Sequence, residues 1–217
     1  MTPGEPLIRW DWIASHTGEI GLRIGEHLEL TVIAVVVGLA IAFALAFVAL
    51  RLPRLYPPIT AVSGILYTIP SLALFAFLVP YTGLSLLTAE IGLVSYTLLI
   101  LVRNIVSGIR AVPTDVRDAA LGMGYTRRAI LWRIELPLAL GVIFAGVRIA
   151  TITTIGLVTV TALIGQGGLG YLILLGIQQF FSTPLIVGAT LSVALAIVAD
   201  GTLVLVQRSL MPWTRVR

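Results

Sequence analysis

The chain contains no cysteine and no lysine. Without cysteine there are no disulfides and no thiolate metal sites. Without lysine there is no phosphate-binding P-loop, whose lysine reaches the β- and γ-phosphates; any ATP that drives this protein binds to another subunit. Charge is scarce as well. Only 11% of the 217 residues are charged, whereas soluble domains carry about a quarter. The two histidines, His16 and His27, lie too far apart in spacing to suggest a metal site. What remains is 58% hydrophobic, with a mean hydropathy of +1.05. This is the composition of an all-α integral membrane protein. The net charge of +4 is carried entirely by arginine, so arginine placement reports orientation rather than a nucleic-acid surface.

Residues 1–26 do not read as a signal peptide. Glu5, Asp11, Glu19 and Glu26 are scattered through them, and no apolar core precedes a small-residue cleavage site. Trp10 and Trp12 predict a short segment at the membrane interface, where indole rings favour the headgroup level. A spanning helix needs about 20 mostly apolar residues. Stretches 27–50, 57–79, 84–102, 136–164 and 184–206 meet this, with Pro70 inside the second. No internal repeat interrupts them, and residues 1–217 read as one domain. Stretch 165–183 is too short and opens with Gly165, Gly167, Gly168 and Gly170. Arginines occur at 51 and 54, between 103 and 133, and at 208, 215 and 217, but not in 80–83 or 165–183. Five spans, with the N-terminus outside and the C-terminus inside, put these three arginine-bearing regions in the cytoplasm. Residues 165–183 then form an outer-face glycine turn and half-helix. Such backbone is tolerated at membrane depth only when buried in protein or lining a water-filled cavity.

The long polar gap, 113–136, has its own pattern. Pro113, Thr114 and Asp115 start a helix, with Asp115 and Asp118 near its positive end. Val116, Ala119, Ala120 and Met123 recur at helical spacing on one face. Gly122 and Gly124 end it, Thr126 caps a second helix bearing Arg127, Arg128 and Arg133, and Pro137 begins the next span. On residue physics alone, a docking surface and a hairpin anchored by its arginines fit equally well.

Asp118-Ala119-Ala120, three residues, Gly124, nine residues, Ile134, one residue and Leu136-Pro137 resembles the EAA loop of ABC importer permeases, E-A-A-x3-G-x9-I-x-L-P. Asp for Glu at the first position is the one departure. Further segments are similar to the osmoprotectant branch of that family: Tyr67 to Leu74 (Y-T-I-P-S-L-A-L), Val102-Arg103-Asn104, Arg133 to Leu140, Ala145 to Arg148, and Ala162 to Gly170. Gln166 stands where a small residue is expected. The resemblance implies the type I importer transmembrane fold, in the bacterial cytoplasmic membrane. It implies coupling contacts at Asp118, Ala119, Ala120, Met123, Gly124 and Tyr125. It also implies two ATP-binding subunits carrying ATP and Mg, a second permease subunit and an extracytoplasmic substrate-binding protein, with no cofactor, metal or nucleic acid on this chain. Glycine betaine, choline, carnitine or proline betaine is the implied cargo, with methionine or another amino-acid-like solute as the alternative. No covalent chemistry is expected of this subunit. An ion-coupled carrier would leave the loop unexplained.

Polar groups at membrane depth suggest function. Arg148 lies about 16 Å and Asp200 about 12 Å from the cytoplasmic ends of their spans, close enough in depth to pair. They either tie two spans together or line the pathway. Glu90, about 9 Å from the outer end of its span, either snorkels outward, is hydrogen-bonded inside the bundle or attracts a cation. Pro70 bends the second span, as a static kink or as a gate, with Thr68 and Ser71 able to satisfy the freed backbone groups. The four tryptophans, at 10, 12, 132 and 213, lie outside the spans and form no intramembrane cage for a quaternary ammonium.

Overall fold

The computed structural model describes residues 6–215, so Glu5 and Arg217 lie outside the described residues. Among these residues every regular element is a helix. A short α1 (Trp10–Ser15) leads into α2 (Thr17–Arg51). Then come α3 (Tyr56–Thr68), α4 (Ser71–Thr82), α5 (Leu86–Arg110), α6 (Thr114–Gly122) and α7 (Arg127–Ile130), followed by α8 (Leu136–Thr161), α9 (Leu169–Gln178) and α10 (Ser182–Leu210). Four helices are long and apolar enough to cross a membrane, or five if α3 and α4 count as one broken span.

The core is built around α5, which packs between α2 and α8. Ala42, Ala46 and Ala49 of α2 let the helices approach closely, and Leu101, Val102 and Ile105 of α5 fill the seam against Ile143 and Ala150 of α8. Half of the most apolar stretch of α5 is buried, against 6% of that of α10. So α5 is the central post, and α10 presents a bare apolar flank.

Three boundaries differ from the sequence expectation. Helix α2 begins at Thr17 rather than 27, and its 35 residues run about 52 Å, well beyond a hydrocarbon core of about 30 Å. The extension is stable because Arg23 pairs with Glu26 at 2.9 Å and Glu19 at 3.8 Å. The second span is broken rather than bent: α3 and α4 meet at 97°. The residue before a proline avoids the helical region, and Ile69 is extended at ψ 129°. Its freed carbonyl accepts from the Tyr96 hydroxyl of α5, not from Ser71, while Thr68 Oγ1 donates back to Ile65 within α3. Finally, Pro137 lies in the first turn of α8, but no break precedes it. The second hairpin helix runs through it into the fourth span, from Arg127 to Ile164. A π-helical turn, Leu131–Glu135, lies immediately before α8 and widens the coil where a mid-helix proline would otherwise clash.

Candidate functional site

The α6 hairpin is shaped by one glycine. Gly124 has φ +83°, where L side chains are strained. Tyr125 N–H donates to the Ala120 carbonyl at 3.1 Å and Gly124 N–H to Leu121 at 2.9 Å. This pair of bonds is the Schellman termination of α6, and it satisfies carbonyls that a helix end leaves unpaired. Two residues after Gly124, Thr126 Oγ1 accepts from Ala129 N–H and caps the next helix. The D-A-A-x3-G spacing thus has a local cause: its third member offers the carbonyl that the turn after glycine closes upon. Ala120 itself is fully buried, whereas Asp118, Ala119, Met123 and Tyr125 are exposed, Met123 at 70%.

Arg117, which the sequence offers only as one more cytoplasmic charge, is the staple of this hairpin. Its Nη2 donates to the Ile109 carbonyl at the end of α5 (2.6 Å), and its Nε lies 2.6 Å from Glu135 Oε1 at the entry to α8. One side chain on α6 therefore grips both neighbouring spans.

At the opposite end of the bundle, Gly165 and Gly168 have φ of +77° and +76°. Gly170 abuts the Thr159 backbone, leaving no room for a side chain, and a side chain at Gly167 would displace the Glu26 carboxylate. Glu26 Oε2 accepts from Gly168 N–H at 2.9 Å. His27 Nδ1 accepts from Leu169 N–H at 3.2 Å, so its Nε2–H donates to the Ile155 carbonyl at 3.0 Å. Two side chains of α2 thus cap the half-helix α9 and tie it to α8. Arg23 lies over the Tyr171 ring, 3.7 Å from its centroid. The sequence signal for this clamp is the polar Glu26-His27 pair at the mouth of an apolar run. The N-terminal segment joins the same end: Trp12 packs edge-on to Phe181 (5.7 Å), and Arg9 N–H donates to Thr183 Oγ1 (2.9 Å).

Arg148 and Asp200 meet in a bidentate pair, Nε to Oδ1 at 2.6 Å and Nη2 to Oδ2 at 2.8 Å, joining α8 to α10. Glu90 touches neither. Its two carboxylate oxygens are buried and have no hydrogen-bond partner among the described residues. No cluster of three or more potential metal ligands occurs among the described residues.

The chain is similar to known proteins along most of its length. The choline transport system permease protein OpuBB of Bacillus subtilis is 35% identical over 93% of each chain. The osmoprotectant import permease protein OsmW of Salmonella typhimurium is 35% identical over 93% of this chain and 96% of its own. Among solved structures, the MetNI methionine ABC transporter in an inward-facing conformation has a chain that superposes with a TM-score of 0.79 at 21% identity. The match covers 90% of this chain and 98% of that one, and it shows the type I importer transmembrane fold. Residues 34–212 match the family described as binding-protein-dependent transport system inner membrane component, and the chain belongs to that family.

Proposed function

We propose that this chain is the permease subunit of an ATP-driven importer for small quaternary-ammonium osmoprotectants such as glycine betaine, choline or carnitine. The observation that carries the reading is its 35% identity, across 93% of the chain, to permeases named for choline and osmoprotectant import. Methionine is the second reading, favoured by the likeness to MetNI, but at 21% identity that likeness speaks to fold alone.

In this reading the arginine-rich end faces the cytoplasm and the N-terminus lies outside. Two permease subunits enclose the path, and two ATP-binding subunits, which hold ATP and Mg, seat on the α6 hairpins. Asp118, Ala119, Met123 and Tyr125 are exposed there as contacts; Gly124 shapes the turn, and Ala120 supports it from within. Closure of the ATPases displaces α6, and Arg117 transmits the movement to α5 and α8. The break at Ile69–Pro70 between Thr68 and Ser71 serves as a gate element, because short helices meeting at 97° reorient more readily than a continuous span. Arg148 and Asp200 hold the bundle together. With no tryptophan cage in the spans, selection falls to a substrate-binding protein at the outer face.

Uptake of labelled glycine betaine, choline, carnitine and methionine in a host lacking its own carriers tests this, with the partner subunits co-expressed. The expected result is uptake of an osmoprotectant that needs an active ATPase and is not displaced by excess methionine. Uptake of methionine alone overturns the cargo. Uptake indifferent to the ATPase overturns the importer.

A further inference from the structure

A cavity of about 1330 Å³ opens at the arginine-rich end, between the last turns of α2, the end of α5 and the α6–α7 hairpin. Its lining carries two chemistries. One is apolar, built from Phe47, Val48, Leu131 and Trp132, with the Phe47 and Trp132 rings 5.7 Å apart. The other carries five arginines against two carboxylates, Asp118 and Glu135. Glu135 is taken by Arg117. Among the described residues, Arg51, Arg110, Arg127 and Arg128 form no ion pair with any carboxylate. Arg110 rests instead over the Tyr56 ring, 4.7 Å from its centroid.

Arginines at the cytoplasmic end of spans follow from topology alone. Here they also line a cavity beside an apolar wall that continues into the exposed flank of α2 at Val48 and Ile41. Uncompensated cations beside an apolar wall at a membrane boundary match an amphiphile with an anionic head, and basic pockets between spanning helices bind such headgroups. The volume exceeds the roughly 300–1,000 Å³ of ordinary small-molecule pockets.

We propose that this cavity binds an anionic phospholipid, its phosphate among Arg51, Arg127 and Arg128 and its acyl chains along Phe47 and Val48. Because Arg127 and Arg128 belong to the hairpin, occupancy braces it and links membrane charge to the position of α6. That link rests on the coupling role proposed above; the binding itself does not.

Native mass spectrometry of the full chain, purified with equimolar phosphatidylglycerol and phosphatidylcholine, tests binding without ATP or partners. Failure here is therefore separable from failure of the importer reading. The expected result is one phosphatidylglycerol retained per chain, with about tenfold preference over phosphatidylcholine. The preference is lost in an Arg51→Gln/Arg128→Gln double variant and kept in Arg54→Gln, whose side chain is outside the cavity lining. The wild-type preference needs no variant, so a variant that misfolds does not remove the test. Equal retention of the two lipids overturns the proposal. Displacement by millimolar inorganic phosphate overturns it too, because the site would then hold a soluble anion. So does loss of the lipid from the assembled transporter, which would make the cavity a seat for protein.

Discussion

The two ends of the bundle use the same device for opposite purposes. At the arginine-rich end, α6 closes on Gly124 and leaves Asp118, Ala119 and Met123 exposed. At the other end, α9 opens from Gly168, and its first free N–H groups are taken by Glu26 and His27. Both are short helices beside a left-handed glycine. One satisfies its end within its own turn and leaves its surface exposed. The other satisfies its end with side chains from α2 and becomes part of the core. A helix terminus that is self-capped can move as a unit, whereas one capped from another helix cannot move without breaking that contact.

This contrast is open to direct attack. His27→Ala is expected to be the most damaging change, because it leaves the Leu169 N–H buried and unpaired, removes the tie to the Ile155 carbonyl and opens a cavity where a fully buried ring stood. The orphaned N–H costs about 1–3 kcal/mol and the cavity left by the ring adds to it, read as thermal unfolding in detergent. Arg117→Gln comes next, costing about 1.5–3 kcal/mol for lost charge-assisted bonds. Its signature differs: α5 and α8 stay packed, while uptake per ATP hydrolysed falls. Gly124→Val is expected to cost about 1–2 kcal/mol from backbone strain alone, since nothing lies within 4 Å of an added Cβ. Gly124→Asn, which tolerates the left-handed region, should retain more uptake than Val. At the bottom, Trp10→Ala should change stability by less than about 0.5 kcal/mol, because Trp10 is 73% exposed. A chain that tolerates His27→Ala yet unfolds on Gly124→Val would reverse the contrast.

The hairpin was legible because its information is local. Proline before a helix, glycine after it and threonine at the next start each act within a few residues, and the spacing survives in the sequence as a motif. The Arg148–Asp200 pair was legible from depth, since rise per residue converts position into height along a span. The clamp on α9 was not legible. Glu26 reaches Gly168 across 142 residues, and nothing in the local pattern says which glycine it will meet. Arg117 shows the same limit: as a charge it reports a side of the membrane, and only its neighbours make it a staple. The Ile69–Pro70 break was read as a bend because the apolar run continues through it. The hydroxyl that stabilises a full break comes from Tyr96 on another helix.

By itself, the sequence determined that the chain is a helical membrane protein without a lysine-bearing P-loop, and that most of its arginines gather at one end. It also determined where the polar hairpin turns. Those features follow from composition, period and backbone preference, which are properties of residues and their near neighbours. Only the tertiary structure decided which helix stands at the centre, which side chains lock α9, and how four arginines with no carboxylate partner among the described residues come to share one cavity with apolar side chains. Each of these depends on distances between segments far apart in the chain, and packing alone sets those distances.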